Sequence, residues 1–150
     1  MQTLTAKDVM SRSVVSVPPL MEIGAAARLL SERGITGAPV IDDKGRLVGV
    51  LSVSDITRFL GHPPVEGWNS EDGPRECAPV VAVMTPKPVT CSEDAPVDAV
   101  AELMLVKRIH RVVVVTGEGR VCGIVSSMDL LRALPSASAA LRDPLHCRWT

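Results

Sequence analysis

One phrase is written twice in this chain. GRLVGVLSVSD runs from Gly45 to Asp55, and GRVCGIVSSMD runs from Gly119 to Asp129, 74 positions later. Gly45, Arg46, Gly49, Ser52 and Asp55 return unchanged as Gly119, Arg120, Gly123, Ser126 and Asp129. The same register extends upstream without a gap. Val9-Met10 meets Val83-Met84, Val15 meets Val89, Ala25, Ala27 and Leu29 meet Ala99, Ala101 and Leu103, and Ile35 meets Ile109. Downstream, Arg58 meets Arg132 and Leu60 meets Leu134. An unbroken register is an internal duplication, and whatever the first copy builds the second must build too.

Each copy reads as β-α-β-β-α. A short apolar strand (Val14–Val17; Val89–Cys91) leads into a helix. In the first copy Ile23, Ala26, Ala27 and Leu30 recur at helical spacing and Gly34 is placed to stop the helix. In the second, Val97, Val100, Ala101 and Met104 take the matching face, with Asp94 as the expected N-cap. Two strands follow in each copy, joined by Asp42-Asp43-Lys44-Gly45 and Thr116-Gly117-Glu118-Gly119, hairpin loops with glycine where positive φ is needed. A last short helix closes each unit, with Gly61 and Pro135 as the expected stops.

The repeats therefore span residues 8–60 and 82–134. Residues 61–81, rich in Pro and Gly, read as a linker, with Trp68 either a lid or packed on the rim; residues 135–150 read as a C-terminal tail. A unit of roughly fifty residues buries too little surface to stand alone. The expected fold is α/β of the α+β kind, two β-α-β-β-α repeats packed about a pseudo-twofold axis.

Composition removes several classes of function. Of 150 residues 46% are apolar and 22% charged, the balance of a soluble globular protein, and the formal charge of −1 gives no support to a nucleic-acid or membrane-surface partner. Two tryptophans, one phenylalanine and no tyrosine leave little on which bases could stack. The first residues lack the pattern of a signal peptide and no apolar run is long enough to cross a bilayer, so the expected location is cytoplasmic. Four scattered cysteines and three histidines complete no metal-ligand spacing or disulfide framework, and Cys122, inside an apolar run, reads as a small hydrophobe. Nothing assembles a nucleophile with a base, so an enzyme is not expected.

The two units, each ending in Gly-apolar-apolar-Ser-x-x-Asp, resemble a tandem pair of cystathionine-β-synthase (CBS) domains, the Bateman module, with nothing else evidently fused to it. DVMSRSVVSV and AVMTPKPVTC at the starts, with GITGAPVIDDKGRLVGVLSVSDI and RIHRVVVVTGEGRVCGIVSSMDL at the ends, carry the likeness. The resemblance implies a non-enzymatic regulatory module that takes an adenosyl ligand (AMP, ADP, ATP or S-adenosylmethionine) in clefts between the repeats, dimerises, and signals to a regulated protein. It assigns ribose contacts to Asp55 and Asp129 and phosphate contacts to Ser52 and Ser126.

Chemistry agrees with those roles, because a carboxylate accepts two hydroxyl hydrogen bonds and suits a ribose diol. Ser-x-x-Asp is equally a capping box that starts a helix with no ligand at all. Asp55 with Arg58, and Asp129 with Arg132, are also spaced as simple i,i+3 ion pairs. Ligand binding and ligand-free interaction thus both stand. Further phosphate candidates are Thr36 in the first copy and His110 with Arg111 in the second. The apolar adenine wall would draw on Val15, Val17, Ile35, Ala38 and Pro39, and on Val89, Cys91, Ile109, Val112 and Val113, each of which could equally be core. Val113 departs from the proline expected there, and the differing phosphate positions favour unequal sites.

Overall fold

A computed structural model describes residues 3–61 and 73–134. Residues 62–72 and 135–150, which include Trp68, Pro135 and the tail, lie outside the described residues. The elements in chain order are α1 (Ala6–Val9), α2 (Ile23–Glu32), β1 (Gly37–Ile41), β2 (Leu47–Ser52), α3 (Val53–Gly61), a 3-10 turn (Arg75–Cys77), α4 (Val80–Val83), β3 (Thr85–Pro86), β4 (Thr90–Ser92), α5 (Val97–Lys107), β5 (Arg111–Val115), β6 (Val121–Ser126) and α6 (Ser127–Arg132). They form two three-stranded sheets, β1-β2-β3 and β4-β5-β6, in an α+β fold of two repeats.

The hairpins follow the sequence closely. β1 pairs antiparallel with β2 from Gly37–Ser52 to Ile41–Leu47, and β5 pairs with β6 from Arg111–Ser126 to Val115–Val121. Gly45 and Gly119 close the loops at φ 77 and φ 81, a region that glycine enters without steric cost. Asp42 fixes the first loop by accepting the amides of Lys44 (3.0 Å) and Arg46 (2.8 Å) and pairing with the Arg46 side chain. Gly34, at φ 62, ends α2 as expected.

Two expectations change. Val14–Val17 does not form a full strand: Val17 makes a single parallel bridge to Val40, whereas the second copy builds β4 at the corresponding place. Pro18 and Pro19 follow at once and carry no N–H with which to extend a ladder. Asp94 does not cap α5, which begins later, behind Pro96. The Asp94 carboxylate instead takes the Lys7 ammonium at 2.8 Å, which raises the Lys7 pKa.

The duplicated stretches of sequence are not the compact units in space. One unit comprises residues 1–13 and 89–150, and the other residues 14–88. The lead-in of each repeat thus packs with the sheet of the other repeat. Ser11 bridges Ile124 on β6, while β3, just after Met84, pairs with Gly49 and Val50 on β2. Core membership says the same. Ala6 and Met10 bury with Val100, Met104, Val112, Val114 and Val125, and Ala78 and Val80 bury with Val17, Ile23, Leu30, Val40 and Leu51.

The duplicated glycines admit this exchange. A Cβ built on Gly123 would meet only side-chain atoms of Met10, its Sδ first, and one on Gly49 would meet the Met84 Sδ and the Thr85 carbonyl oxygen. Overpacking of this kind costs about 1–3 kcal/mol. Gly49→Ala and Gly123→Ala should each lower stability by that amount in denaturant unfolding. At Gly123 the cost should couple to Met10→Ala, so that the double variant loses less than the sum of the single losses. At Gly49 backbone obstructs as well, and Met84→Ala should relieve less. Additive losses at Gly123 would contradict this packing.

Candidate functional site

The repeated phrase forms the same corner in both units. β2 runs into α3, and β6 into α6, through a reciprocal cap. Asp55 Oδ2 accepts the Ser52 amide (3.0 Å) and hydroxyl (2.8 Å), and the Ser52 hydroxyl accepts the Asp55 amide (3.1 Å). Ser126 and Asp129 repeat the arrangement at 2.8, 2.9 and 3.2 Å. The capping reading of Ser-x-x-Asp is therefore realised twice.

The cap spends one carboxylate oxygen and leaves the other. Oδ2 holds two donors in each copy, while Oδ1 faces a guanidinium: Arg58 Nη1 at 3.6 Å from Asp55 and Arg132 Nη1 at 3.7 Å from Asp129. Both arginines are mostly exposed, so these pairs are weak and exchangeable. Each corner thus presents a fixed carboxylate whose second oxygen is held only by a mobile surface partner. The ion-pair reading is also observed.

The remaining candidates gather around these corners within their own units. The Val53 amide donates to the Thr36 carbonyl oxygen at 2.9 Å, and the Ser127 amide donates to that of His110 at 2.9 Å. The start of β1 or β5 is thereby tied to the start of the following helix. Gly37 stands opposite Ser52, and Arg111 opposite Ser126. Thr36, Ser52 and Asp55 therefore form one group, and His110, Arg111, Ser126 and Asp129 another. Thr36 and His110 are exposed and Arg111 is half-buried.

The apolar candidates divide by depth. Val17, Ala38 and Val112 are fully buried members of the two cores, with no surface left for a ligand in this conformation. Pro39 and Val113 are also buried, at the middle of their strands, but belong to neither core cluster. Val113 pairs with Ile124 as Pro39 pairs with Val50, so the missing proline leaves the register intact. Val15, Ile35, Val89, Cys91 and Ile109 are half-buried. The Val17 amide donates to the Pro39 carbonyl oxygen (3.0 Å), and the Val113 amide to that of Val89 (3.3 Å), placing the lead strands beside β1 and β5. Burial pushes the Cys91 and Cys122 thiols above the ordinary range, which keeps them protonated and unreactive.

One feature has no counterpart in the expected sites. A cavity of about 540 Å³ lies between α5 and α6, lined by Met104, Leu105, Arg108, Ile109, His110 and Leu131 among others. Its signal in the sequence was Leu105-Val106, apolar where an exposed helix face should be polar. Among the described residues no group of three or more His, Cys, Asp or Glu side chains could hold a metal ion, and no helix is long and apolar enough to cross a membrane.

Comparison with known proteins agrees with this architecture. The CBS domain family model matches residues 6–62 and 80–136. A CBS domain-containing protein of Dictyostelium discoideum is 30% identical over 85% of this chain and 89% of its own length. A CBS domain pair solved in complex with 5′-methylthioadenosine and S-adenosyl-L-methionine superposes with a TM-score of 0.74 at 30% identity, covering 87% of this chain and 95% of that one. CBSX2 solved in complex with AMP gives 0.74 at 29% identity, covering 92% and 96%. This chain spans only 24%, 22% and 23% of the length of three curated relatives that carry enzyme names, so the likeness to them is confined to that part.

The cap makes its own prediction. Ser52→Ala and Ser126→Ala should each cost about 0.5–2 kcal/mol in unfolding with no ligand present. Unchanged stability in both would show that neither hydroxyl supports its helix.

Proposed function

This chain belongs to the CBS domain family, and on that premise we propose that it is a non-enzymatic sensor of an adenosyl ligand, AMP, ADP, ATP or S-adenosylmethionine, acting on a regulated protein. The observation that carries this reading is the twofold occurrence of a carboxylate fixed by its own cap, with Oδ1 held only by a weak surface pair. The ribose diol would bind Asp55 or Asp129 through that oxygen, displacing Arg58 or Arg132. Phosphate oxygens would find Thr36 and Ser52 in one unit, and His110, Arg111 and Ser126 in the other. A guanidinium offers forked donors to phosphate, so the second group should be the stronger. The half-buried Val15, Ile35, Val89, Cys91 and Ile109 are the apolar surface for adenine, with Pro39 and Val113 beside them. The two superposable pairs solved with adenosyl compounds support the ligand class.

The caps favour a second reading on equally specific grounds. Ser-x-x-Asp is fully explained by helix initiation in both copies, so a ligand-free module that self-associates and docks on a partner would need the same residues.

Thermal unfolding separates the two. A ligand that binds only the folded chain raises the melting temperature by mass action. AMP, ADP, ATP or S-adenosylmethionine at millimolar concentration should raise it by several degrees, and Asp55→Ala with Asp129→Ala in one chain should abolish the rise. No shift with any of the four supports the ligand-free module.

A further inference from the structure

The two repeats share a register, but their outward helical faces differ in kind. On the second repeat the α5–α6 cavity is walled by leucines that meet water: Leu105 is 79% exposed, Leu131 51% and Leu134 49%. The corresponding positions of the first repeat hold Ser31, Thr57 and Leu60. Charge differs as well. Asp98, Glu102 and Leu105 recur at helical spacing on one exposed face of α5, and Arg108 closes that face at its C-terminal end. In the first repeat these positions are Gly24, Arg28, Ser31 and Gly34, with no such separation of charge.

Arg108 adds an independent observation. It sits at φ 54, where the first repeat uses Gly34 at φ 62. Holding a non-glycine residue in that region costs on the order of 1 kcal/mol. Arg108 also lines the cavity, so the strain keeps a cation at the mouth of an apolar groove.

We propose that this groove is the seat of a second copy of the chain, second repeat on second repeat, about a twofold axis perpendicular to α5. An isologous contact requires a patch that complements itself. Antiparallel α5 helices meet that requirement, because Arg108 of each copy approaches Asp98 and Glu102 of the other while the leucines meet at the centre. The three leucines expose a few hundred Å², near the limit a monomer leaves uncovered. With a polar rim this becomes the centre of an interface of about 800 Å² per partner, the area a stable dimer needs. The first repeat, lacking both leucines and charge pattern, stays outside that symmetric centre. This inference deepens the self-association part of the proposed function and does not depend on whether a nucleotide binds.

Leu105→Ser with Leu131→Thr transplants the first repeat's own residues onto this face, so the fold is expected to tolerate them. In sedimentation of the full chain the native protein should be a dimer at micromolar concentration. The transplant should weaken the dimer by roughly tenfold or more, with its unfolding transition retained. Glu102→Arg and Arg108→Glu should each weaken it, and together restore it. A dimer indifferent to these changes keeps self-association but overturns this face. A native monomer overturns both and leaves the groove to residues 135–150 or to a different protein.

Discussion

A thioether seated on a glycine is the contact on which the rest of the structure depends. Met10 occupies the space over Gly123, and Met84 the space over Gly49, each reaching from the lead-in of one repeat to the sheet of the other. Neither repeat completes its sheet from its own residues: β3 follows Met84 onto β2, and Ser11 follows Met10 onto β6. This explains why two copies are written in one chain. A single copy would leave a strand edge without its outer partner and a core without Ala6 and Met10, or Ala78 and Val80.

On that frame the repeated corner does two kinds of work with one carboxylate. Its Oδ2 is committed to starting a helix, and its Oδ1 remains with an exposed arginine. The structural and ligand readings of Ser-x-x-Asp are therefore not rivals for the same atoms. A carboxylate already fixed by its cap loses little further freedom on meeting a ribose, which is the physical sense of pre-organisation.

Much of this was legible in the sequence, for identifiable reasons. Helix periodicity, the glycine loops at Gly45 and Gly119 and the Ser-x-x-Asp caps are local, and all three appear where the residues placed them. The exchange of lead-ins was not legible, because a register match reports that Met10 and Met84 are equivalent and not which sheet each joins. Asp94 failed as a cap because Lys7, distant in sequence, takes its carboxylate. Half of the adenine-wall candidates could not be told from core for the same reason: periodicity marks Val17, Ala38 and Val112 as buried without saying on what.

Where the copies diverge, they diverge in chemistry rather than in fold. Thr36 faces one corner and His110 with Arg111 the other, although Gly37 and Arg111 hold equivalent places opposite Ser52 and Ser126. The central claim is that these two corners are unequal ligand sites on one duplicated scaffold. Calorimetric titration with AMP tests it most directly when Asp55→Ala and Asp129→Ala are measured separately. The account predicts that the tighter binding survives Asp55→Ala and disappears in Asp129→Ala; binding that ignores Asp129→Ala, or its absence from the native chain, would contradict it.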